Sequence, residues 1–400
     1  MVGRVAPEKM TLTMVATCAR GLESVLAEEL GELGAEDIRE ERGALRFRGS
    51  HEVAYRVCLR SRIASRVLLR LGRFPVPDAR ALYDGVHGVD WSEHLNPSKT
   101  LRVDFVGISP QIRDMRFGAM KTKDAIVDRI RDKYGQRPDI NVQDPDVRIR
   151  VHLRGGFGTV LLDLSGAPLF QRGWRQDAGP APLKETLAAG LLRIAGWPQI
   201  AASGGALIDP MCGSGTFLIE GAEMALGRAA GRRRSFGFER WIGMDQASWE
   251  RVKNEPDVPL AHQPQLFGSD ISEEQLVRTR HHCEVADVKR YIKLRRADFQ
   301  ELTPPVDTGI IVTNPPYGER LNDLDEAEQT MKALGDTLRT KWLGWTAWTF
   351  AGSARLAKRI GLKPSEKHIL FNGALECRFF AVSIRSDAPI GKPSWRQKDV

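Results

Sequence analysis

Cysteine is scarce in this chain, and the few copies are scattered. The five cysteines, at positions 18, 58, 212, 283 and 377 of 400 residues, include no C-x-x-C pair. This spacing argues against a zinc site and against a disulfide framework. His281-His282-Cys283 comes closest to a ligand cluster but has no partner motif, so we expect no bound metal.

Long apolar runs, internal repeats and low-complexity tracts are also absent. No run approaches the length of a membrane span, and the first nine residues lack the apolar segment of a secretory signal. These absences predict a cytoplasmic location. A length of 400 residues predicts two or three domains.

The N-terminal third mixes strand and helix patterns. Its predicted elements are a strand over 11–17, a helix over Gly21–Leu33, a strand over Ala44–Phe47, a helix over Val53–Leu59, a strand over Leu101–Ile108, a helix over Phe117–Tyr134, and a hairpin of Val147–Leu153 and Gly158–Leu164. This order is typical of an α+β module.

A Gly- and Pro-rich linker, Gly173–Pro182, precedes a different pattern. After a helix over Leu183–Ala195, apolar runs alternate with helical stretches; they are Ala206–Ile208, Gln265–Gly268, Tyr291–Leu294, Ile310–Val312 and Trp345–Phe350. The alternation predicts a mostly parallel, doubly wound sheet with helices on both faces. Lys367–Ile384 predicts an antiparallel hairpin about Asn372-Gly373 at the sheet edge.

A glycine-rich turn, Asp209-Pro-Met-Cys-Gly-Ser-Gly-Thr216, follows the first of these strands and opens a helix. Ligands of open α/β sheets bind beyond the carboxyl ends of the strands. Gly213 and Gly215 let the backbone approach a ligand there, and the helix amides from Thr216 onward face it. The turn lacks the Lys-Ser/Thr ending of a phosphate-binding loop and the spacing of a dinucleotide fingerprint. A plain turn before a helix is the alternative.

Two acids follow the next two strands. Asp270 is placed to accept from both ribose hydroxyls, and Asp298, followed by Phe299, is placed to flank an adenine ring. Each acid alone suits a helix cap equally well. Because the two acids follow the glycine turn in sequence order, one after each of the next two strands, together they predict cofactor contacts. The long stretch between, Phe217–Gln265, is predicted to be an insertion near the mouth of the site.

Asn314-Pro-Pro-Tyr317 ends the fourth strand. Pro315 and Pro316 stiffen the turn, and their missing N–H donors leave carbonyls pointing outward. The Asn314 side-chain oxygen and the Pro315 carbonyl would accept from one exocyclic amine, whose lone pair then faces a methyl sulfonium. Tyr317 offers a face for stacking. With the glycine turn, this motif looks like that of an S-adenosylmethionine-dependent methyltransferase acting on adenine N6, guanine N2 or a glutamine side chain.

Positive charge is concentrated in three stretches. The net charge is +8, and the isoelectric point is near 9.3. The stretches hold Arg56, Arg60, Arg62, Arg66, Arg70 and Arg73 along one predicted helix and its exit; Arg113, Arg116, Lys121, Lys123, Arg129, Arg131 and Lys133; and Arg232, Arg233 and Arg234. One such run is typical of a solvated face, but three beside a methyltransferase signature predict a nucleic-acid partner.

From about residue 11 to 385 the chain resembles the RlmL-type large-subunit ribosomal RNA guanine-N2 methyltransferases. The matching strings are Ala19-Arg-Gly-Leu-Glu23, Gly118-Ala-Met-Lys-Thr-Lys-Asp-Ala-Ile-Val127, Leu162-Asp-Leu-Ser-Gly166, Arg172-Gly-Trp-Arg175, Ala181-Pro-Leu-Lys-Glu-Thr-Leu-Ala-Ala189 and the two turns. The resemblance implies an α/β protein, in which a Rossmann-like class I methyltransferase domain follows an α+β ferredoxin-like and THUMP RNA-binding module. The implied boundaries are 10–52 (ferredoxin-like), 53–165 (THUMP), 166–182 (linker), 183–385 (methyltransferase) and 386–400 (tail).

The resemblance also implies a site without a metal. S-adenosylmethionine would contact Asp209, Met211, Gly213, Gly215, Thr216, Asp270, Ile271, Asp298, Phe299 and Asn314, with Lys184 and Glu185 at its border. Asn314, Pro315, Pro316 and Tyr317 would hold the target base, and Arg113, Lys121, Lys123, Arg172 and Arg175 would contact RNA.

The implied activity is methylation of guanine N2 in 23S ribosomal RNA, at a guanine-2445-type site, on naked or early-assembly RNA. In some members a second methyltransferase making 7-methylguanine follows this unit, and that activity is not expected of this chain. One alternative is a THUMP enzyme acting on a transfer RNA guanine. Others are an RNA-binding assembly factor with vestigial catalysis, and an adenine-N6 DNA enzyme, whose duplex-reading domain the N-terminal third does not resemble.

Overall fold

The computed structural model describes residues 11–176, 183–317 and 321–385, with only the backbone for 321–323. The predicted tail, 386–400, and the last six residues of the predicted linker, 177–182, lie outside the described residues. The described chain forms two compact units. The first unit holds residues up to 17, 27–169 and 234–255, and the second unit holds 18–26, 170–233 and 256 onward.

Strands and helices account for most of the described chain. The strands are β1 (Leu12–Thr17), β2 (Glu36–Glu41), β3 (Ala44–Gly49), β4 (Arg66–Pro75), β5 (Leu101–Val106), β6 (Val147–Arg154), β7 (Phe157–Asp163), β8 (Ala206–Asp209), β9 (Gln265–Asp270), β10 (Ile292–Arg296), β11 (Gly309–Thr313), β12 (Thr346–Ala351), β13 (Glu366–Asn372) and β14 (Leu375–Ser383). The helices are α1 (Glu23–Glu32), α2 (His51–Arg60), α3 (Ala79–His87), α4 (Met115–Tyr134), α5 (Glu185–Ile194), α6 (Trp197–Ala202), α7 (Thr216–Ala225), α8 (Gln246–Lys253), α9 (Glu273–Val285), α10 (Leu321–Lys341) and α11 (Ala354–Arg359).

The first unit is built on a seven-stranded sheet in the order β2-β3-β1-β4-β7-β6-β5. β5 and β6 are parallel, and the other neighbours are antiparallel. Along β6, buried Val147, Ile149 and Val151 alternate with partly exposed arginines. A sheet with one covered and one open face requires this alternation. The predicted α+β module and its β6–β7 hairpin are therefore confirmed. The sequence reasoning missed β2, which is polar and mostly exposed.

The prediction that six arginines follow one helix and its exit is wrong. α2 ends at Arg60, where the buried Glu29 carboxylate accepts hydrogen bonds from the Ser61 hydroxyl (2.5 Å) and the Arg62 amide (2.9 Å). These bonds tie the residues just after the helix to Glu29 of α1 and redirect the chain there. The rest of the run, from Arg66 to Arg73, lies in β4.

The stretch predicted to be an insertion, Phe217–Gln265, is divided between the two units. Residues 234–255 belong to the first unit, where the Phe238 and Tyr55 rings stack with centroids 4.3 Å apart. Trp249 meets Phe238 edge-on at 5.0 Å. Such aromatic pairs contribute beyond their buried area, which accounts for the folding of this stretch with the first unit.

The second unit is built on a sheet in the order β10-β9-β8-β11-β12-β14-β13. β14 is antiparallel to β12 and β13, and the remaining pairs are parallel. The central strands β8, β11 and β12 are almost wholly buried, as strands covered on both faces must be. The predicted doubly wound sheet with its end hairpin is confirmed. The strand order reverses between β8 and β11, and ligands of such sheets bind beside this reversal.

A short segment, 18–26, belongs to the second unit although β1, just before it, belongs to the first. The Phe371 amide of β13 donates to the Arg20 carbonyl at 3.0 Å. The Arg20 guanidinium also lies 3.8 Å from the centroid of the Phe371 ring. These contacts with a strand far away in sequence hold the segment against β13.

Candidate active site

A cavity of about 820 Å³ lies at the carboxyl ends of β8, β9 and β11 in the second unit. It brings together ten of the predicted site residues: Asp209, Met211, Gly213, Thr216, Asp270, Ile271, Asp298, Phe299, Asn314 and Pro316. Its volume is in the range of small-ligand sites. Gly215, Lys184, Glu185, Pro315 and Tyr317 are not among its described lining residues.

The glycine turn between β8 and α7 is held from two sides. The Asp270 carboxylate accepts from the Gly213 amide (2.9 Å), and the Thr279 hydroxyl donates to the Gly213 carbonyl (2.5 Å). A Cβ atom at Gly215 would lie 2.6 Å from the Thr279 side chain, whereas one at Gly213 would meet nothing within 4 Å. Packing therefore requires glycine at 215, and the backbone at 213 is left open for a ligand.

The two predicted acids both cap local turns and line the cavity. Asp270 accepts from the Ser272 amide as well as from Gly213, and Asp298 accepts from the Gln300 amide, each at 2.9 Å. A carboxylate offers about four lone-pair positions. Each acid therefore keeps acceptor capacity on the cavity side, so the cap and ligand interpretations are compatible.

Asp209 is buried at the end of β8, 2% exposed. Burial raises the pKa of its carboxyl from 3.8 to about 7, and the nearby Asp270 charge adds to the rise. The hydrogen bond from the Met211 amide (3.3 Å) acts in the opposite direction and lowers this pKa. Near neutral pH this carboxyl therefore changes protonation state beside the cavity.

Within the Asn314-Pro-Pro-Tyr317 turn, the two polar side chains are hydrogen-bonded to each other. The Tyr317 hydroxyl donates to the Asn314 side-chain oxygen. The Tyr317 ring packs edge-on to Phe350 (6.2 Å between centroids) and against Gly352, and burial raises the pKa of its hydroxyl well above the usual 10. Tyr317 is not among the described residues that line the cavity, and its stacking role stays a prediction.

Two predicted RNA contacts have a structural role instead. The Arg172 and Glu220 side chains, 3% and 1% exposed, form an ion pair at 3.2 Å. Arg175 pairs with Glu185 (2.8 Å) and donates to the Thr216 hydroxyl (2.7 Å) at the start of α7. We therefore withdraw Arg172 and Arg175 as RNA contacts. Glu185, predicted at the cofactor border, is 3% exposed and supports α7 through Arg175.

Lys184 also lies away from the cavity lining, with its ammonium 5.2 Å from the centroid of the Phe170 ring. Leu183, just before it, does line the cavity. The sequence reasoning missed several polar lining residues, namely Gln275 and Arg278 of α9, Gln300, and Glu326, Gln329 and Thr330 of α10. The alternation of strands and helical stretches predicts helices after the strands, but only tertiary packing decides which helix face meets the cavity.

The predicted RNA contacts of the first unit lie on and just before α4. Arg113 is exposed and donates to the Pro110 carbonyl, while Lys121 and Lys123 are partly buried. Lys123 pairs with Asp124 at 2.7 Å, and Lys121 lies 5.6 Å from the centroid of the Tyr83 ring.

Across the described residues, no group of three His, Cys, Asp or Glu side chains is placed to hold a metal ion. His282 instead donates from Nδ1 to the Ser214 carbonyl (3.1 Å), which further supports the glycine turn. No described helix is both long enough and apolar enough to span a membrane.

Curated relatives match nearly the whole chain. It is 44% identical over 380 residues to ribosomal RNA large subunit methyltransferase K/L of Methylococcus capsulatus, covering 94% of this chain and 52% of that protein. The protein of the same name from Stutzerimonas stutzeri is also 44% identical, with coverages of 94% and 53%. The chain thus spans about half the length of the curated relatives it matches.

Solved structures show the same fold. SMU.472, crystallised in complex with SAH, superposes with a TM-score of 0.84 at 28% identity, covering 94% of this chain and 99% of that chain. A protein described as a possible methylase from Clostridium difficile 630 also reaches 0.84, at 29% identity, with coverages of 96% and 100%.

Three family models match in order along the chain. An RlmL ferredoxin-like domain matches residues 13–68 and a THUMP domain matches residues 77–163. The third model matches more than half of the chain, and it covers every lining residue of the cavity. The predicted resemblance is confirmed: with its match over residues 172–380, the chain belongs to the family of the RMKL-like methyltransferase domain.

Proposed function

We propose that the cavity binds S-adenosylmethionine and that the protein methylates the exocyclic N2 of a guanine in large-subunit ribosomal RNA. The observation that carries the proposal is the placement of Asn314 and Pro316 in the same cavity as Asp209, Asp270 and Asp298. The names of the curated relatives support a ribosomal RNA substrate, and the SAH complex of SMU.472 supports the cofactor.

The residues present suit this cofactor. Asp270 and Asp298 follow neighbouring strands and keep carboxylate lone pairs for ribose hydroxyls and adenine. The open space beside Gly213 lets a ligand approach the backbone. When bound, S-adenosylmethionine supplies an electrophilic methyl group on a sulfonium.

Asn314 is proposed to position the amine. Its side-chain oxygen has two lone pairs and uses one for the Tyr317 hydroxyl, so the second can accept from an exocyclic N–H. Tyr317 thereby becomes a positioning residue, because its hydroxyl fixes the direction of the Asn314 amide. A guanine N2 inside a paired stem cannot reach the cavity, so the base must be flipped out of the stack.

The substrate is tested by offering the same protein 23S ribosomal RNA, transfer RNA and duplex DNA with radiolabelled S-adenosylmethionine. We expect label in 23S RNA, recovered as N2-methylguanine after digestion. Label in a transfer RNA guanine would favour the THUMP transfer-RNA alternative. Label recovered as N6-methyladenine would refute guanine specificity.

Asp270→Asn should weaken S-adenosylmethionine binding without weakening RNA binding. The substitution removes a charge-assisted acceptor for the ribose and also loosens the Gly213 amide, so a cost of about 1.5–3 kcal/mol is expected. Calorimetric titration measures the cofactor affinity. Asp307→Asn, at an exposed site outside the cavity, is the matched control. Equal S-adenosylmethionine affinities in the Asp270 variant and the control would show that Asp270 does not contact the cofactor.

Asp209→Asn should change how stability depends on pH. Because the folded state holds the Asp209 proton more tightly than the unfolded chain, the carboxyl stabilises the fold fully below pH 3.8 and loses this contribution as pH rises to about 7. Asparagine lacks this dependence. The free energy of unfolding of the variant should therefore rise relative to wild type across this range, as measured by urea unfolding. A difference that does not vary with pH would contradict the raised pKa.

A further inference from the structure

The open face of the first unit's sheet carries a groove that the proposed methyl transfer does not use. Its volume is about 790 Å³, and its lining residues come from β1, β2, β3, β4, β6 and β7 and the turns that join them. Arginines dominate its charge: Arg42, Arg46, Arg70, Arg73 and Arg154 line it, with Glu41 as the one carboxylate among the described lining residues.

Strand register brings these arginines to one face. Val15 pairs with Arg46 across β1 and β3, on the face opposite buried Met14. The Arg70 guanidinium, on β4, lies 3.4 Å from the Thr13 hydroxyl, which is also on the open face. Since side chains alternate between faces along a strand, residues two apart share a face. Antiparallel pairing thus gathers arginines that are far apart in sequence.

Two acids on this face, Asp163 and Asp104, are already paired with other arginines. Asp163 pairs with Arg66 (2.5 Å) and Arg150 (3.4 Å), and Asp104 pairs with Arg102 (2.8 Å). Among the described residues, no ion pair joins Arg46, Arg70, Arg73 or Arg154 to a carboxylate. Burial lowers the pKa of Arg70, and the charges of Arg46 and Arg73 lower it further. An anion in the groove would relieve this repulsion.

One arginine is arranged for stacking. The Arg73 guanidinium lies 3.8 Å from the centroid of the Phe157 ring, and Arg73 is exposed. The ring holds the guanidinium plane in place while its other face is open to a planar partner. Unpaired RNA bases stack on such arginine and aromatic planes, whereas duplex RNA is read mostly through shape and backbone.

We infer that this groove binds single-stranded RNA, with phosphates against Arg46, Arg70 and Arg154 and a base on the Arg73–Phe157 stack. The inference rests on the proposed RNA substrate and assigns part of its binding to a surface distinct from α4. The groove, rather than Lys121 and Lys123, then supplies the main electrostatic contribution to RNA affinity.

The test measures binding of a fluorescent single-stranded RNA dodecamer to the full chain by anisotropy, at increasing potassium chloride. For single strands, the slope of log affinity against log salt changes by about 0.7 for each phosphate contact. Arg46→Gln with Arg70→Gln removes two of the proposed phosphate contacts, so it should flatten the slope by about 1.4 and lower the affinity roughly tenfold or more at low salt. Arg137→Gln, exposed in the same unit and outside the groove, is the control and should change the slope little.

An unchanged slope in the double variant, with wild type binding normally, would overturn the inference while leaving the proposed function intact. Tighter binding of a fully paired RNA duplex, lost in the same variant, would overturn the single-strand assignment. Failure of wild type to bind either RNA would refute the proposed function itself. Arg154→Gln, at the exposed end of β6, gives a second variant if the double variant does not fold, and its slope should fall by about 0.7.

Discussion

Asn314→Ala should lower the single-turnover rate of methylation by on the order of 100-fold or more, the scale for losing one preorganised group at a reacting centre. Alanine has no side-chain oxygen to accept a hydrogen bond from the guanine amine. The lone pair of the amine nitrogen is then no longer held toward the methyl group of S-adenosylmethionine. The affinities for S-adenosylmethionine and RNA should stay nearly unchanged, because the lost interaction acts on the reacting atom.

Asn254→Ala, which truncates an exposed asparagine of the first unit, is the matched control and should methylate at the wild-type rate. Tyr317→Phe separates two roles for the tyrosine. If its hydroxyl orients Asn314, the phenylalanine variant should lose rate with little change in RNA affinity, whereas a stacking ring would tolerate the change. A wild-type rate for Asn314→Ala would refute the amine contact.

Arg172→Met should destabilise the second unit by about 3–5 kcal/mol without weakening RNA binding. Removing one partner of a buried ion pair leaves the other charge buried and uncompensated, and here the partner is Glu220, 1% exposed. Urea unfolding measures the loss, and RNA affinity is compared under conditions in which the variant is folded.

The double variant Arg172→Met with Glu220→Leu should recover much of the lost stability, because both charges are then removed together. Arg193→Met provides a comparison at an arginine of the same unit that is not fully buried. A variant Arg172→Met that is stable but binds RNA weakly would restore the original prediction of an RNA contact.

Local pattern was sufficient for the architecture of the second unit and for the approximate place of its site. Apolar runs such as Ile310–Val312 predict buried strands wherever they occur, and parallel strands end at one edge of a sheet. Asp209, Asp270, Asp298 and Asn314 therefore line one cavity, although about a hundred residues separate the first from the last. The chemistry expected there follows from residue types at strand ends, which the sequence displays directly.

The fate of individual side chains needed the tertiary structure, because their partners are far away in sequence. Arg172 is buried in an ion pair with Glu220 of α7, Arg70 faces a groove lined from six strands, and the Tyr317 ring packs on Phe350 of β12. Segments 18–26 and 234–255 also needed the tertiary structure. Each folds with one unit, although the residues on both sides of it in sequence belong to the other unit. Periodicity shows that a residue is on a helix or strand, whereas burial and charge pairing depend on which elements pack together. The sequence by itself determined the elements, their order and the motifs at their ends, and only the packing of the elements decided which charges bind a ligand and which support the fold.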